Sequence, residues 1–342
     1  MDRRRDDRRA LLGLGGLLVG LHAGLVAAGV WRGLAWPAIA LSFVLLVLMA
    51  ERAGRLVPPA RRRLYERTLA LGFPALVLVV WQLAGDAGLL NTMWFPQPSR
   101  IAAALWDLTV TFDKFSETSL IGRPWLWPQA FAENGLAGVG AMVGESHVFA
   151  TLMRVFAGFV IGAVPGVLLG VAMGLNQTIR LMLDTTLSAI YVLPKIAIFP
   201  LVMLMFANPF GEGPKIVVVA LAVFILVTIN TMAGVRSIDR VYLMAGRNYG
   251  ANGWQMLVHV ILPGAMPVIF AGLRIALGTA MIVIISVEFL RANQGVGYLT
   301  YYYWEVLNPE KMYAGLLVVM MLGIALTASL HAIERALMPW RR

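Results

Sequence analysis

Eight long apolar runs divide the sequence, and most of them are long enough to cross a bilayer. A helix needs about 20 apolar residues to span about 30 Å of hydrocarbon. In lipid a helix satisfies its own backbone hydrogen bonds, so runs of this kind favour helices. The sequence therefore predicts an all-α, polytopic transmembrane helical bundle of about eight spans: Ala10–Val30, Trp36–Ala50, Thr68–Ala84, Val148–Gly174, Ile179–Phe206, Lys215–Val235, Ala265–Leu290 and Tyr313–Leu337.

Two of these runs, the fifth and the first, have features that could change the number of spans. Pro194, Lys195 and Pro200 interrupt the fifth run, and proline in a helix interior bends or breaks the helix. The first run follows an arginine-rich start and could be mistaken for a signal peptide. It has spanning length, however, and the second run follows almost at once, which is typical of a retained helical hairpin.

The composition agrees with a membrane protein and excludes several kinds of site. Charged residues make up 13% of the chain, against roughly 25% in a soluble domain. The chain has no cysteine, which excludes disulfides and thiolate metal sites. Its four histidines are scattered without metal-ligand spacing, so neither a metal nor a cofactor is expected on this chain.

The basic residues indicate how the chain is oriented in the membrane. Arginines cluster before the first run and again in the Glu51–Arg67 loop, and such clusters favour the cytoplasmic side. With eight spans, both termini are then cytoplasmic and the long 85–147 segment is external. That segment carries six acids and three bases, 3 − 6 = −3, which agrees with an external position. Clusters beside apolar runs also argue against nucleic acid as the partner of this chain, whose net charge is +10.

A polar segment between the sixth and seventh runs, residues 237–263, is the strongest functional signal. It begins with Ser237 or Asp239 as a helix cap, breaks at Gly250 to Gly253, and ends at Pro263 before the next run. A cytoplasmic helix pair with exposed large apolar side chains has the makeup of a plug for a groove on a partner protein.

This segment resembles the coupling loop of bacterial ABC importer permeases, in which Glu-Ala-Ala, a glycine and a terminal Ile-any-Leu-Pro recur at set spacings. Here Met244-Ala245-Gly246, Gly250 and Val260-Ile261-Leu262-Pro263 keep both spacings, with Met244 and Gly246 as departures. The Ala245-Gly246-Arg247 sequence is similar to permeases of the nitrate/sulfonate/taurine type. Further motifs in the family's order carry the resemblance over roughly residues 95–339, including the segments 95–99, 154–159, 193–197, 211–215 and 288–299.

The resemblance implies a six-helix type I permease core with two extra N-terminal helices. It also implies the partners: a second permease copy, two ATPase subunits that hold the ATP, and an extracytoplasmic binding protein that delivers a small anionic solute. The implied location is the bacterial inner membrane. The predicted regions are an N-terminal hairpin at 1–67, a first core span with the external segment at 68–147, and the permease core at 148–342.

Candidate roles for single residues come from the family resemblance and from the charges that lie inside spans. The coupling residues implied by the resemblance are Met244, Ala245, Gly246, Tyr249, Gly250, Trp254 and Pro263. Charges inside spans are costly and therefore mark candidate pathway residues, here Lys195, Arg274 and Arg154. Each could instead snorkel to the boundary or pair with an acid, for Lys195 with Asp184. Glu288 is expected at the interface beside Arg291.

Glycine recurs at every fourth position of the fourth run, from Gly158 to Gly174. Such a stripe predicts close helix packing.

Two other functions fit the sequence less well than a permease does. A self-contained secondary transporter or channel would show an inverted repeat or matched broken helices, and no convincing repeat is present. A membrane enzyme would show a convergent set of catalytic groups. The sequence has no Gly-Lys pair and therefore no phosphate-binding Walker loop, so ATP hydrolysis is expected on a partner chain.

Overall fold

The computed structural model describes the backbone of residues 2–30, 33–113 and 117–341. It divides into two compact units, Met1–Ile101 and Ala102–Arg342, each described by itself. Helices dominate both units, which confirms the all-α class. In chain order the helices and strands are α1 Asp2–Ala27, α2 Ala35–Leu56, α3 Arg62–Asp86, α4 Pro98–Val110, β1 Phe112–Asp113, β2 Thr118–Ser119, α5 Trp127–Gly144, α6 His147–Leu175, α7 Gln177–Val192, α8 Lys195–Met203, α9 Glu212–Arg236, α10 Arg240–Asn248, α11 Gly253–Met256, α12 Leu262–Arg291, α13 Val296–Glu305 and α14 Pro309–Leu337.

Seven helical stretches in the described part of the chain are long and apolar enough to cross a membrane. They contain α1, α2, α3, α6, α9, α12 and α14, so each matches a predicted run. The remaining run forms α7 and α8, which meet at a bend of 97°. Counting this bent pair as one span gives the eight predicted spans.

The bend confirms the interruption expected in the fifth run, which is not one continuous helix. The chain leaves helical geometry at Leu193 and Pro194, and α8 starts at Lys195. Proline cannot continue the backbone hydrogen bonding of α7, and it disfavours helical geometry in the residue before it.

The first unit contains the N-terminal hairpin. Helices α1 and α2 pack together, with Asp7 bonded to Arg52 at 3.0 Å near the start of α1 and His22 to Ser42 at 2.8 Å toward its end. Helix α4 starts at Pro98, and the backbone N–H of Ser99 donates to the side chain of Gln82 at 3.0 Å.

The second unit is built around α9, which is buried along most of its length. Helix α6 runs parallel to α9 with its glycine stripe in the contact: a Cβ at Gly158 would lie 2.6 Å from Val219, and one at Gly174 would lie 2.6 Å from Val235. The packing predicted for the stripe is therefore confirmed. Helix α12 contacts α9 as well, and the main apolar core lies among these three helices.

Two helices were not predicted. Helix α5 lies in the segment expected to be external, and α13 connects α12 to α14. Neither is long or apolar enough to be a span, so the length of apolar runs did not predict these helices.

Candidate functional site

The predicted coupling segment forms two short helices joined by a tight turn. Asp239 caps α10, because its carboxylate accepts the backbone N–H of Val241 at 3.0 Å. Asn252 caps α11 in a capping box with Gln255, each side chain bonding the other residue's backbone N–H. One π-helical turn, Leu257–Ile261, then leads into α12, which begins just before Pro263. Both helices and both ends of the segment agree with the prediction.

The turn between the two helices depends on Gly250. Its φ angle is +76°, in the left-handed region, and a Cβ built there would meet nothing within 4 Å. The glycine is therefore required for its backbone conformation and not for close packing.

Gly246 has the opposite role. A Cβ at this position would lie 2.5 Å from the sulfur of Met256. Met256 belongs to a small apolar core with Val235 and Ile261, against which Leu243 of α10 also packs. The segment is thus attached to the ends of α9 and α12 through one apolar face.

The other face of the segment is exposed and apolar. Tyr249 is 93% exposed and Trp254 is 71% exposed, and the larger side chains on α10 are exposed as well: Val241, Tyr242 and Met244. Large apolar side chains grouped in this way on one surface mark an interaction site.

The three candidate pathway cations lie in different surroundings. Arg154 is buried near the start of α6, where its Nη1 donates to Glu288 at 2.6 Å and its Nη2 donates to Glu212 at 2.9 Å. Lys215 bonds the same Glu212 carboxylate at 2.9 Å. This buried ion network joins α6, α9 and α12.

The prediction for Glu288 is wrong. It is fully buried, and it accepts hydrogen bonds from Arg154, from the hydroxyl of Thr151 at 3.0 Å and from the backbone N–H of Gly297 at 2.8 Å. The side chain of Arg291, its predicted partner, lies outside the described residues. A buried carboxylate needs several donors, and helices far apart in the sequence supply them here.

Lys195 stands at the bend between α7 and α8. Its ammonium donates to the backbone carbonyls of Tyr191 and Ile190, the last turn of α7, and not to Asp184. Free carbonyls at the end of a helix attract a cation, so Lys195 stabilises the broken end of α7.

Arg274 lines a cavity. Its Nη2 donates to Glu334 at 2.6 Å and lies 3.1 Å from His331, while its Nε is buried without a hydrogen-bond partner among the described residues. The cavity has a volume of about 480 Å³ and lies between α12 and α14. Arg274 stands 14 residues before Glu288 on α12, about 21 Å along the helix axis, so Arg274 and Arg154 do not share a site.

Sequence reasoning missed the polar partners of this network. Thr151 links Glu288 to α13 by accepting the backbone N–H of Val296 at 2.8 Å, and His147 accepts the N–H of Gly295 at 3.0 Å. Thr151, Arg154 and Glu288 were each visible as polar residues in apolar runs. Nothing in their spacing, however, indicated that they meet.

Comparisons with known proteins place the chain in a family. Residues 166–341 match the family described as "binding-protein-dependent transport system inner membrane component". The chain is 31% identical over 273 residues to the taurine transport system permease protein TauC of Escherichia coli (strain K12), covering 80% of this chain and 90% of that protein.

Two further relatives agree. The putative aliphatic sulfonates transport permease protein SsuC of Escherichia coli (strain K12) is 32% identical over 267 residues, or 78% of this chain and 89% of that protein. Its namesake in Bacillus subtilis (strain 168) is 27% identical, over 86% of this chain and 98% of that protein. Among solved structures, one chain of the MetNI methionine ABC transporter in inward-facing conformations shares 22% identity at a TM-score of 0.45, covering 62% of this chain and 96% of that one.

The family match and the apolar helices agree with each other. Members of this family are permease subunits and are not catalytic themselves. The chain therefore belongs to the binding-protein-dependent transport system inner membrane components, as a multi-pass permease subunit of an ATP-binding-cassette importer.

Proposed function

We propose that two copies of this chain form the translocation pathway of an importer for a small sulfonate-type anion. Two ATPase subunits on the cytoplasmic face bind and hydrolyse ATP, and this chain holds no cofactor of its own. An extracytoplasmic binding protein delivers the solute. Closure of the ATPases moves the helix bundle between outward-open and inward-open states by rigid-body rotation.

The exposed α10–α11 segment carries this proposal. One of its faces packs on the ends of α9 and α12, and the other presents Tyr249 and Trp254 to a partner. A rigid element that is fixed to two long helices can transmit a movement of the partner to the helix bundle. The turn at Gly250 sets the angle between its two helices.

The solute class is proposed from the relatives and from Arg274. The relatives named above are permeases for taurine and for aliphatic sulfonates, which carry an anionic sulfonate. Arg274 lines a cavity with a buried Nε donor still to be paired, and a sulfonate oxygen would be a suitable acceptor. Lys195 is a second candidate for the pathway because it lies at a break between helices. Arg154 is a weaker one, since two carboxylates already surround it.

The proposal is tested by measuring how much ATPase co-purifies with permease variants. In Tyr249→Ala/Trp254→Ala the permease should still insert and remain folded, because both side chains are exposed. Co-purification with the ATPase should fall at least about tenfold, since buried aromatic side chains dominate interfaces and the largest cost 2 kcal/mol or more each. ATP hydrolysis stimulated by loaded binding protein should fall with it.

Two controls sharpen the experiment. Trp106→Ala removes a tryptophan on α4 that is 70% exposed and should leave the complex intact.

At position 250, Gly→Val should uncouple transport, because a left-handed residue with a side chain costs roughly 1–2 kcal/mol, whereas Gly→Asn should be tolerated. Full ATPase association and transport in the aromatic double variant would refute the coupling role.

A further inference from the structure

The helix ends at one membrane boundary of the unit Met1–Ile101 form a strongly basic surface. Helix α1 begins, α2 ends and α3 begins at this boundary, each next to an apolar run. The basic surface consists of residues 6–9 and 51–67, which carry eight arginines against four acids, so its net charge is +4.

Side-chain contacts hold the three helix ends together. Asp7 on α1 bonds Arg52 near the end of α2 at 3.0 Å. The hydroxyl of Tyr65 on α3 donates to the backbone carbonyl of Ala50 on α2, and a Cβ at Gly54 would lie 3.0 Å from the Tyr65 ring. The arginines of these three helices therefore belong to one surface.

The acids neutralise only part of the basic surface. Three of the four acids are bonded to arginines, in the pairs Asp7–Arg52, Glu51–Arg55 and Glu66–Arg62. Five further arginines are exposed and make no ion pair or side-chain hydrogen bond within the described residues: Arg8, Arg9, Arg61, Arg63 and Arg67. Their positive charge is in excess over the single remaining acid, Asp6.

The start of α3 concentrates positive charge where an anion would be stabilised. Arg63 and Arg67 stand four residues apart on one face of the helix, and like charges at this spacing destabilise a helix. The first turn of α3 also has no acidic residue, although the positive end of the helix dipole favours one. An anion beside this turn would offset both effects.

The position of the basic surface in the membrane indicates which anion binds. Arg9 directly precedes the first apolar run and Arg67 directly precedes the third, so both stand at the level of the lipid headgroups. Leu64, between the arginines of α3, is 63% exposed. Basic residues with exposed apolar neighbours suit the membrane–water interface, and guanidinium groups bind phosphate with paired hydrogen bonds.

We propose that the basic surface binds the phosphate groups of anionic phospholipids and gathers these lipids around the first three helices. The positive-inside rule explains why the arginines matter while the chain inserts into the membrane. Lipid binding gives the same arginines a role in the folded protein. It depends neither on the transported solute nor on the ATPase.

Quenching of a fluorescent reporter by brominated lipids measures lipid binding beside a chosen residue. Because the chain has no cysteine, Thr68→Cys can carry a bimane label next to the basic surface. Leu83→Cys carries the same label 15 residues further along α3, about 22 Å away. Both side chains are exposed. In nanodiscs both leaflets contain the same lipids, so the direction of insertion does not affect the result.

At Thr68→Cys, brominated phosphatidylglycerol should bind at least about fivefold more tightly than brominated phosphatidylcholine, the factor expected of one arginine at an anionic surface. At Leu83→Cys the two lipids should bind equally. In about 1 M salt, where the Debye length is about 3 Å, the preference at Thr68→Cys should fall at least about twofold.

Substitutions in the Thr68→Cys background identify the arginines responsible. Arg63→Gln/Arg67→Gln should lower the preference for phosphatidylglycerol at least about threefold, whereas Arg63→Lys/Arg67→Lys keeps the charge and should retain it. Glu51→Gln/Arg55→Gln is the matched control, because it removes an arginine that is already paired and leaves the net charge unchanged.

Several results would overturn the proposal: equal binding of the two lipids at Thr68→Cys, the same preference at Leu83→Cys, or an unchanged preference in Arg63→Gln/Arg67→Gln. Loss of the preference in the control variant would do so as well, because the excess arginines would then not be the cause. Inorganic phosphate added at constant ionic strength should not compete. If it abolished the preference, the surface would bind a free anion and not lipid.

Discussion

Single residues in this protein take their roles from the carboxylates around them. Arg154 and Arg274 look alike in the sequence, since each is an arginine in an apolar run. The side chain of Arg154 is 3% exposed and is held by Glu288 and Glu212. That of Arg274 is 38% exposed and borders a cavity beside Glu334. The first environment suits a structural ion pair, and the second suits a residue that meets solute.

A matched pair of substitutions separates the two roles. Arg154→Met leaves Glu288 buried beside an uncharged side chain, so we expect a loss of roughly 3–5 kcal/mol in the free energy of unfolding. Arg274→Met should cost less than about 1 kcal/mol, because its ion pair is partly exposed, and it should instead lower sulfonate import. Denaturant unfolding in detergent measures stability, and vesicle uptake measures import.

The double variant Arg154→Met/Glu288→Gln is the internal control. It removes both buried charges, so it should recover part of the stability lost in Arg154→Met. Equal stability of Arg154→Met and the wild-type protein would show that the network does not hold α6 to α12.

Among the helices, the glycine stripe of α6 decides how closely α6 approaches α9. At Gly162 a Cβ would meet the backbone carbonyl of Ala220 and would lie 2.9 Å from the Cβ of Val223. Backbone atoms cannot move away as a flexible side chain could. Contacts of this kind follow the stripe along the helix, so α6 and α9 act as one rigid pair.

Gly162→Ala should therefore destabilise the protein although alanine favours helices by about 1 kcal/mol. We expect a net loss of about 1–3 kcal/mol, which is typical of overpacking in a tight contact. Thermal unfolding in detergent or nanodiscs provides the measurement.

Gly140→Ala in α5 is the comparison, because a Cβ there meets nothing within 4 Å. Its stability should stay unchanged or rise slightly. If both alanine variants behaved alike, helix propensity and not close packing would explain the stripe.

For the whole molecule, the predicted orientation of the spans in the membrane can be tested directly. The chain has no cysteine, so single cysteines can be placed as reporters. Ser119 lies in the predicted external segment but is only 2% exposed, which makes it a poor site for labelling. The predicted Glu51–Arg67 loop is mostly helical, because its first residues belong to α2 and its last to α3. Glu133 on α5 is exposed, as is Arg63 near the start of α3.

With a membrane-impermeant maleimide, Glu133→Cys should react in spheroplasts, whose inner membrane is intact. Arg63→Cys should react only after that membrane is permeabilised. The reason is the positive-inside rule, since the 51–67 segment carries six arginines. The reverse labelling pattern would invert the topology and would place the α10–α11 segment on the wrong side for an ATPase.

Sequence alone determined the helical class, the spans and the two-helix shape of the 237–263 segment, because each depends on local information. Apolar run length decides whether a helix can span lipid, and caps and a left-handed glycine shape the turn around Asp239, Gly250 and Asn252. The five glycines of α6 likewise predicted close packing, although the sequence did not identify α9 as the partner helix.

Only the tertiary structure decided which side chains meet. Glu288 finds Arg154, which is 134 residues away in the chain, and Lys311 finds Asp107, because helices distant in sequence pack side by side. The cavity beside Arg274, between α12 and α14, also depends on such packing. The cost of burying a charge can be estimated from one residue, but the identity of the group that offsets it is a property of the folded molecule.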